Sequence, residues 1–549
     1  MEERKLTGYP SIDRPWDRRG TKFRIPDCSF YDFFIHRSRI NASRILSRCQ
    51  KNVLSLPTLC KESLRYAKGL YSLGIRKGDI VPICLPPCNE GIVLFFALNR
   101  IGAVSTFLSA SLGKGELFQY CQRYSAKIMI SSNNEALSPQ ITILISGQNG
   151  EKNLSELAAL GDSEITVFGD LSSEDNALIC YTSGSTGQPK SIVLTNKNIM
   201  ASMLGLKKTT HMQYGPQGYC LQVVPFNYPY GFIISVLFPM YVGKTVALTP
   251  NLQLNDVAKW IVLYRPKYIQ AIPAFYKELM RQWNNAKSNL SFLKYEVCGG
   301  DTLDIETKKQ ISEFNKSHKC KAKICDGSGN GEGCGCLTTS VVLGSSNWES
   351  VGKPIKGLNA KVISPESGKE LSYNETGLLC YSGPMIMKEY WGEPEETQKA
   401  LAKDELGAIW FHTDTYAHID EKGWLYLDGR DRRFFISFDV AGSPYKVYCD
   451  YVQSIIKCDS IVSDCAVVKR EDKQRSFVPV AFVVLKPGHT ELDLERIRKS
   501  CTGRLDNYSI PEDWHVLDAL PLTTAGKINY TALEEMAKNA ESLLQSAPP

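Results

Sequence analysis

The sequence predicts an α/β protein with mostly parallel sheets, followed by a small α+β domain. Along the first 430 residues, short apolar runs alternate with helical patterns, as expected of strands buried between helices. After residue 430 the pattern changes to short strands and helices over about 120 residues, enough for one small domain. The total length of 549 residues leaves room for both parts.

The predicted elements follow one another closely. Residues 60–73 have the periodicity of an amphipathic helix, residues 80–85 form a buried strand, and residues 90–100 form a helix that Gly102 ends. Residues 146–175 are polar and rich in Gly and Ser, which indicates a surface connection. Further strands are predicted at residues 127–131, 177–180, 244–248, 268–272, 295–297, 323–324, 466–469 and 478–485.

Composition places the chain among ordinary globular proteins. Apolar residues make up 43% and charged residues 22% of it, which excludes a mainly disordered, collagenous or coiled-coil chain. The 64 Lys and Arg residues exceed the 58 Asp and Glu residues by 6, without a long basic run. Because a nucleic-acid binder usually concentrates basic residues on one face, nucleic acid is not favoured as a partner.

The 18 cysteines lie singly rather than at paired metal-binding spacings. They predict free thiols in a reducing compartment rather than a disulfide scaffold. The N-terminus is polar and lacks an apolar signal core. The longest apolar stretch, residues 231–243, contains Pro239 and is shorter than the roughly 20 residues of a membrane span. We therefore expect a cytoplasmic protein with no membrane span.

A loop of hydroxyls and glycines carries the strongest chemical signal. It follows the strand predicted at residues 177–180 and ends in Pro189 and Lys190. Glycines let backbone N–H groups approach a polyphosphate, hydroxyls donate hydrogen bonds and the lysine supplies positive charge. A flexible Ser/Gly linker is the alternative, but it requires neither the strand nor the Pro-Lys end. The candidate phosphate ligands are Thr182, Ser183, Gly184, Ser185, Thr186, Gly187 and Lys190.

This loop resembles the Thr-Ser-Gly-Ser-Thr-Gly-x-Pro-Lys signature of the adenylate-forming superfamily, which includes acyl-CoA synthetases, nonribosomal-peptide adenylation domains and luciferases. Several motifs in the same order extend the resemblance along nearly the whole chain. They lie at residues 299–303, 351–354, 383–391, 414–430 and 520–527.

The resemblance implies a fold and a reaction. The fold is a large N-terminal AMP-binding domain of packed α/β subdomains, residues 1–430, plus a small mobile α+β C-terminal domain, residues 431–549. In the reaction, a carboxylic acid attacks ATP in the presence of Mg²⁺, which gives an acyl-adenylate and pyrophosphate. Coenzyme A, or the phosphopantetheine of a carrier protein supplied in trans, then accepts the acyl group as a thioester. Adenylation gives the carboxylate a leaving group that it lacks.

The resemblance also implies roles for single residues. Glu332 matches the magnesium-associated glutamate, Asp414 would accept hydrogen bonds from the ribose, and Arg430 would support that site. Lys527 would bridge the attacking carboxylate and the α-phosphate, and Thr182 would act on the phosphates. For Glu332 and Lys527 the alternative is a solvated loop charge. The remaining nucleotide-site candidates are Gly300, Asp301, Asp326, Gly327 and Ser328.

The chain departs from the family at the nucleotide site and after Arg430. Ser328 stands where an aromatic residue usually stacks on adenine, and Gly331 replaces a threonine. Residues 431–439 lack the usual Lys-x-x-Gly pattern of the hinge. These changes leave the thiol acceptor open and motivate a different hypothesis, a degenerate paralogue that binds nucleotide or acyl ligand without turnover.

The acyl pocket is predicted at residues 224–231, with Phe226, Asn227, Tyr228 and Gly231 as substrate contacts. An Asn among aromatic rings can pair with a polar substituent while the rings pack on an apolar body. Alternatively, the backbone satisfies Asn227. The segment has no aspartate to hold an ammonium group, so an amino acid is disfavoured, and a fatty and an aryl acid both fit. The runner-up function is a stand-alone adenylation enzyme that loads a carrier protein in a nonribosomal-peptide or siderophore-like pathway.

Overall fold

The computed structural model describes most of the chain. The described residues are 6–17, 24–38, 44–110, 112–132, 142–145, 157, 168–182, 190–210, 218–250, 256–283, 289–300, 303, 305–340, 347–430, 434–438, 444–472, 475–502, 504–505, 509–523 and 528–545. Most of the predicted surface connection at residues 146–175 lies outside them.

The first of two large sheets, sheet A, has seven strands. All neighbouring strands are parallel except the last pair, Ile45–Cys49 and Asn52–Ser55. The strands predicted at 244–248, 268–272, 295–297 and 323–324 are confirmed here, within a residue or two at each end. The spatial order is Lys323–Asp326, Tyr295–Cys298, Tyr268–Ala271, Tyr219–Gln222, Thr245–Leu248, Ile45–Cys49 and Asn52–Ser55.

Sheet B also has seven strands and contains the predicted strands at 80–85, 127–131 and 177–180. Its five strands from Asn176–Tyr181 onward are parallel, whereas Ser191–Thr195 returns antiparallel to Asn176–Tyr181. The hydroxyl-rich loop is therefore the connection of a hairpin. The spatial order is Glu389–Tyr390, Ser191–Thr195, Asn176–Tyr181, Val104–Phe107, Ile80–Cys84, Ile128–Ser131 and Thr142–Ile145.

Helices connect and cover these sheets. The predicted helices at 60–73 and 90–100 are confirmed as Leu56–Ser72 and Asn89–Ile101, and Gly102 caps the second. Asn89–Ile101 is buried around nearly its whole circumference, which explains its continuous apolar sequence. The other N-terminal helices are Pro10–Asp13, Phe30–Ser38, Lys114–Arg123, Asn196–Thr210, the π-helix Tyr230–Leu237, Phe238–Tyr241, Val257–Tyr264, Pro273–Trp283, Ile305–Ser317 and Pro394–Ala400.

A third sheet, sheet C, is antiparallel, so the expectation of mostly parallel sheets fails in this part of the chain. Its central strand Ile409–Ile419 pairs with Gly377–Ser382 on one edge and with both Leu401–Lys403 and Leu425–Arg430 on the other. Asn359–Ile363 completes the sheet beside Gly377–Ser382. A two-stranded ribbon, Thr338–Thr339 with Lys353–Pro354, lies apart from it.

The C-terminal part has the predicted α+β character. The strands predicted at 466–469 and 478–485 are confirmed within Val462–Asp472 and Ser476–Leu485, with Asp513–Val516 parallel beside the second. Apolar side chains cover both faces of this sheet, as a small layered domain requires. Its remaining elements are the hairpin Phe434–Phe438 with Pro444–Tyr448, the helices Cys449–Lys457, Leu494–Cys501 and Tyr530–Gln545, and the turn Glu491–Asp493.

Sheet A contains a buried carboxyl group, Glu296, with only 1% of its surface exposed. Asn315 Nδ2 donates a 2.5 Å hydrogen bond to Glu296 Oε2. Among the described residues, Glu296 Oε1 and Asn315 Oδ1 have no hydrogen-bond partner. A proton on Glu296 would allow it to donate to the free Asn315 oxygen, and burial raises the pKa of Glu296 to about 7.

We expect Glu296→Gln to stabilise the protein at pH 8 by about 2–3 kcal/mol and to have little effect at pH 5. Since the folded-state pKa lies above the unfolded value, wild-type stability falls as pH rises from about 4.5 to 7. Glutamine needs no proton to pair with Asn315. Urea unfolding at both pH values measures the change, with the exposed Glu306→Gln as control. Equal effects at pH 5 and pH 8 would show that Glu296 does not take up this proton.

Candidate functional site

The ends of the hydroxyl-rich loop are held together by hydrogen bonds. The backbone N–H of Thr182 donates to the carbonyl of Lys190 at 3.1 Å, and the backbone N–H of Lys190 donates to Thr182 Oγ1 at 3.0 Å. These two predicted phosphate ligands therefore lie side by side at the mouth of the hairpin. Five further predicted ligands lie outside the described residues: Ser183, Gly184, Ser185, Thr186 and Gly187.

A buried hydroxyl network anchors the two strands that carry this loop. Tyr124 Oη donates to Tyr181 Oη at 3.1 Å and lies 2.7 Å from Ser191 Oγ. Tyr181 Oη also lies 2.6 Å from Thr106 Oγ1. Tyr181 and Ser191 directly precede and follow the pair Thr182 and Lys190, so the network holds together the two strand ends next to this pair. No sequence pattern indicates this network, because its four members come from four separate segments of the chain.

Glu332 lies in a tight turn packed against sheet B. A Cβ atom at the neighbouring Gly331 would lie 2.3 Å from Ile192 Cδ1, so a larger residue there would require the Ile192 side chain to move. The Glu332 carboxylate is only 8% exposed and accepts a 2.7 Å hydrogen bond from Tyr390 Oη. The alternative of a solvated loop charge is therefore wrong for Glu332.

Lys190 extends from the loop toward the same place. Its Nζ forms an ion pair with the carboxylate of Glu396 and lies 4.9 Å from the centroid of the Tyr390 ring. Burial raises the pKa of Glu332, while the hydrogen bond from Tyr390 and the charge of Lys190 oppose that rise. A cation, a buried carboxylate and a phenol thus converge beside the loop, which suits the recognition of a polyphosphate with a cation.

Asp414 approaches from sheet C. It lies in the strand Ile409–Ile419, is exposed, and its negative charge adds to the rise in the pKa of Glu332. The two carboxylates are therefore close enough to interact. Arg430 lies opposite Thr415 on the neighbouring strand, next to Asp414, while its side chain lies outside the described structure.

Asp326 is the last residue of the edge strand Lys323–Asp326 in sheet A, and Gly327 and Ser328 follow it. The Asp326 carboxylate forms a 2.7 Å ion pair with Lys308, and both side chains are nearly buried. The backbone N–H of Ser328 donates to Thr338 Oγ1 at 2.9 Å, which closes the turn. The Asp326 carboxylate is thus already committed to a lysine that sequence reasoning missed.

Two further nucleotide-site candidates follow the adjacent strand Tyr295–Cys298 of sheet A. Gly300 comes two residues after this strand, on the same sheet edge as Gly327. Asp301 lies outside the described residues, as does Lys527.

The predicted acyl segment leads into the π-helix Tyr230–Leu237. Phe226 is buried. The centroid of its ring lies 5.1 Å from the centroid of the Phe232 ring. Asn227 and Tyr228 are half-buried, and burial raises the pKa of the Tyr228 phenol while the neighbouring Asn227 side chain opposes that rise. A Cβ atom at Gly231 would lie 2.0 Å from the carbonyl oxygen of Pro225, so glycine permits the sharp entry into the helix.

Tyr230 joins this segment to the glycines of sheet A. Its hydroxyl donates to the carbonyl of Ala271 at 3.2 Å. A Cβ atom at Gly299 would lie 3.0 Å from the Tyr230 ring. The acyl segment and the predicted nucleotide residues around Gly300 are therefore neighbours, so an acid and a nucleotide bound there would lie side by side.

Three further features concern cysteines, membrane spans and metal-binding groups. All 18 cysteines are free thiols. Within the described part of the chain, no helix combines the length and apolar character needed to cross a membrane. In the same part, no group of three or more His, Cys, Asp or Glu residues is arranged to hold a metal ion.

Comparison with known proteins agrees with this architecture. A model of the AMP-binding enzyme family matches residues 44–391, and a model of the AMP-binding enzyme C-terminal domain matches residues 451–527. In an ATP-bound crystal, MatB from Rhodopseudomonas palustris shares the fold, with a TM-score of 0.83 and 22% identity over 94% of this chain and 100% of that chain. The chain therefore belongs to the AMP-binding enzyme family, the adenylate-forming superfamily that its motifs resemble.

The curated relatives of the chain are CoA ligases. It is 26% identical over 483 residues to 4-coumarate–CoA ligase 3 of Arabidopsis thaliana, covering 84% of this chain and 83% of that protein. It is 24% identical over 531 residues to a long-chain-fatty-acid–CoA ligase of Bacillus subtilis (strain 168), covering 88% of this chain and 90% of that protein.

Proposed function

We propose that this protein activates a carboxylic acid with ATP as an acyl-adenylate, releases pyrophosphate and transfers the acyl group to coenzyme A. The observation that carries the proposal is the convergence of Lys190, Glu332 and Tyr390 beside the hairpin loop. Lys190 and the loop hydroxyls would neutralise and orient the phosphates, and Asp414 would bind the ribose with support from Arg430. Lys527 would bridge the carboxylate and the α-phosphate as charge moves between them.

Mg²⁺ fits this site as a companion of ATP. Magnesium usually binds through one or two carboxylates plus the oxygens of the substrate phosphates. Glu332 offers one nearly buried carboxylate, while the described residues contain no three-ligand cluster that would hold the ion alone. Glu332 would therefore hold the ion, whose chemistry is to neutralise negative charge between phosphate oxygens.

For the acid, we propose a fatty or aryl carboxylate. Phe226 and the π-helix offer an apolar surface, and the half-buried side chains of Asn227 and Tyr228 offer polar atoms beside it. Gly231, which allows the sharp entry into the π-helix, would set the position of these side chains. The curated relatives named for 4-coumarate and for long-chain fatty acids support the same two classes.

For the second half-reaction, we propose coenzyme A as the acceptor, because the curated relatives are CoA ligases. The domain boundary would lie near residue 430, and rotation of the C-terminal domain there would bring the thiol to the adenylate. A carrier-protein phosphopantetheine in trans is the competing acceptor. The free thiols suit a reducing compartment, which we propose is the cytoplasm.

The proposal is tested by acid-dependent pyrophosphate release from Mg²⁺ and ATP, with hydroxylamine present to trap acyl-adenylates as hydroxamates. The panel contains fatty, aryl and amino acids, and coenzyme A is added to the acids that react. Release with fatty or aryl acids and a thioester product supports the proposal. If the folded protein releases no pyrophosphate with any acid of the panel, the proposal is contradicted and a binding protein without turnover is favoured.

A further inference from the structure

Lys190 is held by a carboxylate that the proposed reaction does not use. The ion pair joins Lys190 Nζ to Glu396, and the two side chains are 27% and 36% exposed, so water screens the pair only in part. The hydrogen bond and charge of Lys190, aided by Lys399, lower the pKa of Glu396 to about 2. Glu396 therefore stays charged throughout the physiological range.

The helix Pro394–Ala400 fixes Glu396 in front of the loop. Thr397 Oγ1 accepts a 2.9 Å hydrogen bond from the backbone N–H of Tyr390, which ties the helix to sheet B. Just before the helix, the carboxylate of Glu393 forms a 2.6 Å ion pair with Arg123. Since both anchors belong to the scaffold, Glu396 would keep its place when the flexible side chain of Lys190 turns toward a ligand.

A second lysine shares the same carboxylate. Lys399 Nζ lies 2.7 Å from Glu396 Oε1, one helical turn further along, and its side chain is 71% exposed. Glu396 thus divides its charge between an exposed lysine and the lysine of the loop. The two ion pairs compete for one carboxylate, so weakening the pair of Glu396 with Lys399 strengthens its pair with Lys190.

We infer that Glu396 is a resident counter-ion that competes with the phosphates of ATP for Lys190 and so limits the ATP affinity of the site. The inference rests on the proposed function, because it assigns Lys190 to the phosphates. To bind ATP, Lys190 must leave Glu396 or share its donors with both anions, and the fixed carboxylate also repels the incoming phosphates. The ion pair with Lys399 partly neutralises Glu396 and so reduces its attraction for Lys190.

The test uses variants with opposite expected effects. Titration calorimetry with Mg²⁺ and a non-hydrolysable ATP analogue, without acid, should show about twofold to fivefold tighter binding for Glu396→Gln. Lys399→Met should weaken binding by about twofold, because Glu396 then pairs with Lys190 alone. The double variant should match Glu396→Gln. In pyrophosphate release, the KM for ATP should follow these shifts while kcat stays within about twofold.

Glu395→Gln is the matched control, since it removes the same charge from the neighbouring exposed position of the helix. Its effect should be clearly smaller than that of Glu396→Gln. The inference is overturned if Glu396→Gln leaves affinity unchanged, weakens it, or only equals the control, with folding checked by circular dichroism. If the wild type binds no ATP analogue, the proposed function fails as well, whereas normal binding without a shift refutes this inference alone.

Discussion

Glu332→Gln is expected to reduce kcat/KM for acid-dependent pyrophosphate release by about 10²–10³-fold. The substitution keeps the size of the side chain and an oxygen that can still accept the hydrogen bond from Tyr390. It removes the negative charge that would hold Mg²⁺ against the phosphates. The loss should therefore appear in turnover and in the Mg²⁺ concentration needed for half-maximal rate, without a loss of folded protein.

Tyr390→Phe is the matched variant for this prediction. It leaves the Glu332 carboxylate in place but removes the hydrogen bond that orients it, so we expect a loss of only about tenfold. If Glu332→Gln retained activity within about threefold of the wild type, the role assigned to Glu332 would be wrong. Equal losses in the two variants would indicate that orientation of the carboxylate matters more than its charge.

The parallel core was predictable because burial on both faces leaves a simple pattern. The strand Ile80–Cys84 is apolar at every position and fully buried, so its sequence could not belong to a surface element. Sheet C was harder, because its strands mix buried and exposed positions. Ile409–Ile419, for example, contains five polar or charged side chains within residues 412–418: His412, Thr413, Asp414, Thr415 and His418. Such a strand lacks the continuous apolar run that marked the others.

One local signal was overlooked at a helix start. The helix predicted from residue 60 begins at Leu56, because Ser55 caps it by accepting a 3.2 Å hydrogen bond from the backbone N–H of Thr58. Ser followed by an apolar residue and Pro57 is a recognisable helix N-terminus. The apolar periodicity counted from residue 60 placed the start too late, although Leu56 and Leu59 of the first turn are also buried.

The residues of the candidate site could be predicted where they belong to a motif of consecutive residues. The loop around Thr182 and Lys190 and the glycine turn around Glu332 carry such patterns. The partners Glu396 and Lys308 were missed, because each belongs to an ordinary charged helix and Glu396 also lies 206 residues from Lys190 in the chain. Only the fold, which brings the end of one strand beside a distant helix, reveals these contacts.

Lys527→Ala is expected to separate the two half-reactions. In adenylation, negative charge develops between the carboxylate and the α-phosphate, and the lysine would stabilise it, so pyrophosphate release should fall by about 10²–10³-fold. In thioester formation the acid is already joined to the phosphate, and the thiol attacks a carbonyl carbon. A synthetic acyl-adenylate supplied with coenzyme A should therefore be converted within about threefold of the wild-type rate.

Lys538→Ala provides the control for this comparison, because Lys538 is an exposed lysine on the helix Tyr530–Gln545, close to Lys527 in sequence. It should leave both half-reactions unchanged. A Lys527→Ala variant that loses both steps equally would indicate a structural role for the lysine, and one that keeps adenylation would refute its assignment. Loss of adenylation alone would mean that Lys527 acts by stabilising charge in that step and not by maintaining the structure of the domain.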